Sequence, residues 1–173
     1  MSTIKIVDTC TLINVFHLIN VDFSPYLEDY YVVVTDQVIS EYTRKAPRPI
    51  PTCLSVVGMN ETDKALMDEL EFLFPQLGIG ERSIFACALG IAACGSRIVV
   101  LSDDHKATKK FSNLAKTKSI IARFPGSDTI IWGDTLSLFG KFVDDGKIEK
   151  KHLDSMRMAL KRYQPMPPKS KVV

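Results

Sequence analysis

The amino-acid sequence predicts an α/β fold, a three-layer α/β/α sandwich around a central and mostly parallel sheet. Three observations lead to this prediction. Segments in which apolar residues follow a strand-like period alternate with segments of helical period. Some strand-like segments are continuously apolar, as expected of strands that helices cover on both faces. The 173 residues, 46% of them hydrophobic, provide enough apolar side chain for one full core.

The first part of the chain predicts three strands and two helices. Residues 30–34 are continuously apolar, which favours a buried strand, and Thr35 is placed to cap the helix that follows. Prolines between residues 46 and 51 break regular structure and indicate a surface loop. In chain order the elements are strand 4–7, helix 9–19, strand 30–34, a helix from Thr35, and the edge strand 54–57.

The second part predicts five helices and two strands. Asn60 begins a helix because acidic residues follow it in the first turn, where they favour the helix dipole. Residues 98–101 are the clearest strand of the chain, and residues 117–128 lack a period and are expected to form a loop. The elements are helices from Asn60 and from Gly80 to about Cys94, strand 98–101, helix 106–116, strand 129–132, and helices 134–143 and 150–163.

These elements predict a single domain over residues 1–163. Residues 164–173 contain three prolines and two lysines and are expected to be a flexible tail or a docking arm. No apolar run approaches the length of a membrane span, and the N-terminus lacks the pattern of a signal peptide, so we expect a cytoplasmic protein. The four cysteines form no Cys-x-x-Cys pair, which indicates reduced thiols rather than disulfides or a zinc site.

Charge is distributed unevenly along the chain. The formal net charge is only +2, but residues 1–104 carry 7 basic and 14 acidic side chains, whereas residues 105–173 carry 15 and 6. Such a division is typical of a protein that binds a polyanion or gathers acidic side chains around a metal. An uneven surface without function is the alternative.

Acidic side chains follow the predicted strands or begin the predicted helices at one edge of the sheet. Parallel strands end at the same edge, and the helices that connect them begin there, which is where ligands bind in open α/β sheets. Carboxylates gathered at such an edge repel one another, and Mg²⁺ or Mn²⁺ with oxygen ligands would relieve that repulsion. Each acid taken alone also fits a helix cap or a solvated surface residue. The predicted catalytic and metal-binding residues are Asp8, Glu41, Glu81, Asp103 and Asp104.

Several segments resemble one family of nucleases. The segments are Ile6-Val7-Asp8-Thr9-Cys10-Thr11-Leu12-Ile13, Val34-Thr35-Asp36-Gln37-Val38-Ile39-Ser40-Glu41, Gly78-Ile79-Gly80-Glu81-Arg82-Ser83-Ile84-Phe85-Ala86, Val99-Val100-Leu101-Ser102-Asp103-Asp104, and Gly133-Asp134-Thr135-Leu136-Ser137-Leu138-Phe139 with Gly146-Lys147-Ile148. Over residues 3–160 the chain is similar to PIN-domain ribonucleases, in particular to their VapC-like toxin branch. The resemblance implies a metal-dependent endoribonuclease that cleaves RNA phosphodiester bonds, commonly as a homodimer inhibited by an antitoxin protein.

The sequence departs from this family at three places. Cys10 stands where many members carry a small polar residue near the phosphate. Asp103 and Asp104 compete for the fourth acidic position, because the family pattern favours Asp104 whereas the end of the strand favours Asp103. The segment 117–128 is longer than the turn usual there.

Basic residues near the acidic cluster are candidates for RNA binding: Arg82, Lys106, Lys109 and Lys110. Two other functions remain open. A PIN-like fold can serve as a scaffold or nucleic-acid-binding module without catalysis. Asp8 after a strand also fits a phosphatase of the haloacid dehalogenase class, but Cys10 stands where those enzymes need a second, acid-acting aspartate.

Overall fold

The computed structural model describes residues 3–18, 23–27, 30–46 and 49–163, and the predicted tail 164–173 lies outside these ranges. Within them, five strands form one sheet that is parallel throughout, in the order β3-β2-β1-β4-β5. The strands are β1 (Ile4–Val7), β2 (Tyr31–Thr35), β3 (Leu54–Val57), β4 (Ile98–Leu101) and β5 (Ile131–Gly133). Strand β1 is therefore central and β3 is an edge strand, as predicted for residues 54–57.

Helices connect successive strands and cover the sheet, so the predicted three-layer α/β/α sandwich is confirmed. The helices are α1 (Thr9–Ile13), α2 (Ser24–Leu27), α3 (Asp36–Lys45), α4 (Glu61–Leu73), α5 (Ile79–Ala93), α6 (His105–Ala115), α7 (Lys118–Arg123), α8 (Thr135–Asp144) and α9 (Lys150–Tyr163). Helix α4 begins as predicted, because Asn60 and Asp63 each accept the other's backbone N–H in a capping box, with N···O distances of 2.9 and 3.1 Å. None of the helices within the described ranges has both the length and the apolar character needed to cross a bilayer.

Two aromatic clusters hold the helical layers on the sheet. Helix α5 packs on β1, β2 and β4, and its Phe85 stacks on Phe111 of α6 with ring centroids 4.4 Å apart. In the second cluster, Phe139 of α8 meets Phe23 edge to face at 4.5 Å and Phe142 at 5.8 Å. All five phenylalanines are buried, so these contacts hold α5, α6 and α8 against the sheet.

The structure differs from the sequence prediction at three segments. Residues 117–128, predicted as a loop, contain helix α7, whose six residues are too few to display a helical period although Ile120 is buried. The predicted helix 9–19 changes after Ile13 into a π-helical segment over Asn14–Leu18, because one apolar face fits either hydrogen-bond pattern over so short a stretch. The four residues of α2 were not predicted for the same reason of length.

Candidate metal centre

Because the sheet is parallel throughout, its strands end at one edge, and the acidic residues gather there. Asp8 directly follows β1, and its backbone N–H donates to Leu101 O at the end of the neighbouring strand β4. A cavity of about 220 Å³ opens at this edge, and the carboxylates of Asp8, Glu41 and Glu81 line it. These three side chains come from α1, α3 and α5, three segments that are distant in sequence.

Asp8 is the most deeply buried acid of the site, with 4% of the residue exposed. Its Oδ1 accepts the N–H of Thr11 at 2.6 Å and so caps α1. Its Oδ2 accepts the hydroxyl of Ser102 at 2.6 Å. Burial raises the pKa of Asp8 to about 6, although these two hydrogen bonds oppose the shift. The carboxylate is thus held in one orientation, but its two hydrogen bonds offset only part of the cost of removing its charge from water.

Glu41 is held from two sides. Thr9 Oγ1 donates to Glu41 Oε2 at 2.8 Å, and the Lys45 ammonium donates to Glu41 Oε1 at 2.5 Å. Burial raises the pKa of Glu41, but the hydrogen bonds from Lys45 and Thr9 outweigh burial and keep that pKa below its ordinary value. Glu41 is therefore an ionised carboxylate whose position is fixed by its neighbours.

Glu81 caps its own helix, since its Oε2 accepts the backbone N–H of Gly78 at 2.5 Å. Burial raises the pKa of Glu81 above its ordinary value, and the negative charges of Asp104 and Glu41 raise it further. Asp104 is close enough to Glu81 for a side-chain hydrogen bond. The acids of α3, α5 and α6 are therefore mutually repulsive neighbours at one place.

Gly80 lets α5 approach the other acids closely. A Cβ atom at this position would lie 2.8 Å from Glu41 Oε2 and 3.9 Å from Thr9 Oγ1. Any side chain there would displace the Glu41 carboxylate. The glycine therefore sets the distance between the first turn of α5 and α3.

The structure gives Asp103 and Asp104 different surroundings. The carboxylate of Asp103 accepts hydrogen bonds from the side chain of Asn14 at 2.6 Å, from the backbone of Thr135 at 2.9 Å, from the hydroxyl of Thr11 at 3.4 Å, and from the Thr135 hydroxyl. Asp104 caps α6 through Oδ1 alone, which accepts the N–H groups of Lys106 and Ala107 at 2.8 and 2.9 Å. Asp103 thus joins α1 to α8, whereas Asp104 stands beside Glu81.

The donor set of this edge fits a hard divalent cation. Among the described residues no group of three or more His, Cys, Asp or Glu side chains forms a ready-made metal site, and Lys45 is paired with Glu41. The carboxylates of the cavity are nonetheless the oxygen ligands that Mg²⁺ and Mn²⁺ prefer. A cation would also offset the desolvation and repulsion that raise the pKa values of Asp8 and Glu81.

The predicted RNA-binding residues lie on two helices, α5 and α6. Arg82 is buried and its guanidinium pairs with Glu71 of α4 at 3.2 Å, so it faces the core side of α5. Lys106 and Lys109 are exposed on α6, which begins at the acidic edge. The Lys110 ammonium lies 5.7 Å from the ring centroid of Phe74.

Some residues that shape the site were not predicted from the sequence. Thr9, Thr11 and Ser102 position the carboxylates through their hydroxyl or amide groups, and Lys45 pairs with Glu41. The sequence does indicate the pairing of Lys45 with Glu41, because Lys45 follows Glu41 by four residues on one helix, the spacing at which opposite charges meet. Cys10 also lines the cavity, and desolvation with the charge of Asp8 raises the pKa of its thiol to about 11.

No family model, no curated protein and no solved structure matches this chain.

We expect Asp103→Asn and Asp104→Asn to differ in their effect on the free energy of unfolding without metal. Asn at position 103 keeps one acceptor oxygen where the carboxylate has two, and we expect a loss of about 2–3 kcal/mol. Asn at position 104 still caps a helix, so that variant should lie within about 0.5 kcal/mol of the parent. Urea unfolding in EDTA measures both values, and equal losses in the two variants would contradict the distinction.

We expect Asp8→Asn to stabilise the metal-free protein at neutral pH. The folded chain binds the Asp8 proton with a pKa of about 6 and the unfolded chain near the ordinary 3.8, so the folded chain holds more protons between these values. The parent therefore loses stability as pH rises through that window, up to about 3 kcal/mol, and Asn avoids this loss.

Urea unfolding of parent and Asp8→Asn in EDTA at about pH 4, 6 and 8 measures this difference. The gain should be small at the lowest pH and reach its full size at the highest. Asp68→Asn, at an exposed position on α4, is the matched control and should follow the parent. A constant difference across the pH range would show that charge burial at Asp8 is not the cause.

Proposed function

We propose that this protein is a Mg²⁺- or Mn²⁺-dependent endoribonuclease that hydrolyses RNA phosphodiester bonds at the carboxyl edge of its sheet. The observation that carries the proposal is the cavity in which carboxylates from three distant segments meet, Asp8, Glu41 and Glu81, with Asp104 next to Glu81. Helix capping does not account for all of these acids, because Glu41 lies within α3, whose N-cap is Thr35.

Asp8, Glu41, Glu81 and Asp104 are the residues that would hold the cation. When bound, a divalent cation supplies Lewis acidity that activates a water and stabilises charge developing on the phosphate. Thr11, Asn14 and Thr135 all donate to the carboxylate of Asp103. These bonds support our assignment of Asp103 to holding together the segments that follow β1, β4 and β5. Asp104 is accordingly our choice for the fourth ligand.

The chain itself orients the acids before any ligand binds. Ser102 and Thr11 fix the two oxygens of Asp8, and Thr9 fixes one oxygen of Glu41. Gly78 does the same for Glu81. Ligands held in place by surrounding hydrogen bonds reorganise little on binding, which favours both affinity and a defined geometry at the reacting phosphate.

The choice of RNA as substrate rests on charge and on the sequence resemblance. Lys45 stands at the mouth of the acidic cavity, and α6 presents the exposed Lys106 and Lys109 beside it, as a polyanion would require. The acids occur in the order expected from the resemblance to PIN-domain ribonucleases. That resemblance is also the ground for proposing a cytoplasmic toxin with an antitoxin partner and a homodimeric state.

The nuclease proposal predicts Mn²⁺-dependent cleavage of a labelled RNA that is lost in Asp8→Asn, Glu81→Gln and Asp104→Asn. Each substitution removes a charged ligand but keeps the shape of the side chain, and we expect losses of about 100-fold or more. Cleavage is followed by gel electrophoresis with Mn²⁺ or with EDTA, using Asp68→Asn as the unaffected control. Cleavage by Asp8→Asn at the parent rate, or none by the folded parent with Mn²⁺, would refute the proposal and favour a scaffold.

The toxin proposal predicts growth arrest when the parent is induced in bacteria. Asp8→Asn, expressed to the same level, should permit normal growth because arrest depends on RNA cleavage. Culture density after induction, with immunoblots for protein level, is the measurement. Arrest by the parent and by Asp8→Asn alike would separate toxicity from the carboxylate site and contradict the assignment.

A further inference from the structure

A second cavity, larger than the acidic one, lies along the sheet between β1, β4, β5 and α8. Its volume is about 580 Å³, within the range of small-molecule sites, and it shares no lining residue with the acidic cavity. We call it the lysine groove, after Lys5, which lies in its wall. The metal site and the nuclease proposal make no use of this groove.

Lys5 is an unusual residue for its place in the fold. It belongs to β1, the central strand of a parallel sheet, where both faces are covered and apolar residues are the rule. Only 8% of the residue is exposed. Its ammonium lies 3.7 Å from the ring centroid of Tyr30, and no carboxylate or carbonyl within the described ranges hydrogen-bonds it or forms an ion pair with it. Among the described residues, no anion forms an ion pair with this nearly buried ammonium.

The charges around Lys5 make the burial of its ammonium less favourable. Burial lowers the pKa of Lys5 to about 8, and the positive charges of Lys141 and Lys147 lower it further, against the attraction of Asp145. The Asp145 carboxylate is itself engaged by the Tyr30 hydroxyl and by the Lys141 ammonium, each at 2.5 Å. The contact with the Tyr30 ring offsets only part of the cost of burying this ammonium, so an anion in the groove would be a favourable partner for it.

The lining of the groove defines what that ligand must be. Lys5, Arg97 and Lys141 are its charged residues, and the lining includes no acid among the described residues. Between these cations the wall is apolar and aromatic, formed among others by Val99 and Ile131, which share the Lys5 face of the sheet, and by Tyr30. Cations on an apolar surface match a molecule that carries a negative group on a flat or apolar body.

We propose that the lysine groove binds a small organic anion, a carboxylate or phosphate monoester with an aromatic body, whose anionic group meets the Lys5 ammonium. The aromatic part lies against Val99 and Ile131, and Arg97 and Lys141 complete the cationic surroundings. Because the two cavities share no residue, this ligand occupies a site separate from the RNA substrate.

Isothermal calorimetry of the full chain measures the binding of benzoate, of phenyl phosphate, and of benzyl alcohol as the neutral control. We expect saturable binding of at least one anion and much weaker binding of benzyl alcohol; the stronger anion identifies the class. Absence of binding by both anions, or equal binding of benzyl alcohol, would overturn the proposal.

Lys5→Met tests the role of the ammonium. Methionine keeps the length and apolar stem of lysine, so this variant should fold and lose about 10-fold or more in affinity for the anion, while benzyl alcohol is unaffected. Lys64→Met, at a surface lysine paired with Glu61, is the matched control and should bind as the parent does. An unchanged affinity in Lys5→Met would refute the site.

A second measurement needs no variant. The parent is treated with limiting acetic anhydride with and without saturating anion, and acetylation is mapped by mass spectrometry. The bound anion should protect Lys5 several-fold while leaving Lys64 equally modified. Equal acetylation of Lys5 in both samples would contradict the proposed contact.

Discussion

The constraint on which the rest of the structure depends is that every strand of a parallel sheet ends at the same edge and turns there into a helix. Each new helix leaves backbone N–H groups without partners in its first turn, and these groups need acceptors. Asp8, Asp104 and Glu81 provide acceptors through one carboxylate oxygen each, at α1, α6 and α5. Capping and convergence of charge are thus two results of one topology, and the same side chains serve both.

This topology gathers negative charge in a place with little water, and the neighbouring hydroxyls offset only part of the penalty. Ser102 donates to Asp8, Thr9 to Glu41, and Thr135 to Asp103. Where the donors are numerous, as around Asp103, the carboxylate acts as a structural joint between α1 and α8. Where donors are few, as around Asp8 and Glu81, burial and like charges raise the pKa. The carboxylates thus differ in their donors, with four hydrogen bonds to Asp103 against two to Asp8.

The sequence predicted the strands, the sheet type and the edge at which the acids meet, because strand periodicity and parallel topology depend on local pattern and general geometry. The sequence could not predict the different surroundings of Asp103 and Asp104. Those surroundings depend on Thr135 and Asn14, which only the tertiary fold brings near Asp103. Helix α7 was missed because six residues show no period. The sequence pattern of β1 does not predict that Lys5 is buried, because its burial depends on how α8 and Tyr30 cover that strand.

Each of the two cavities contains a buried charged side chain, negative in the acidic cavity and positive in the lysine groove. In the acidic cavity Asp8 is buried without an ion-pair partner among the described residues, and in the lysine groove the same is true of Lys5. The two charged groups do not neutralise each other, because Asp8 lies past the carboxyl end of β1 whereas Lys5 lies within the strand, facing another cavity. A chain that needed only to fold would lower its free energy by replacing either group with an apolar residue. The proposed metal site and the proposed anion site would each supply one of these charges with a counter-ion.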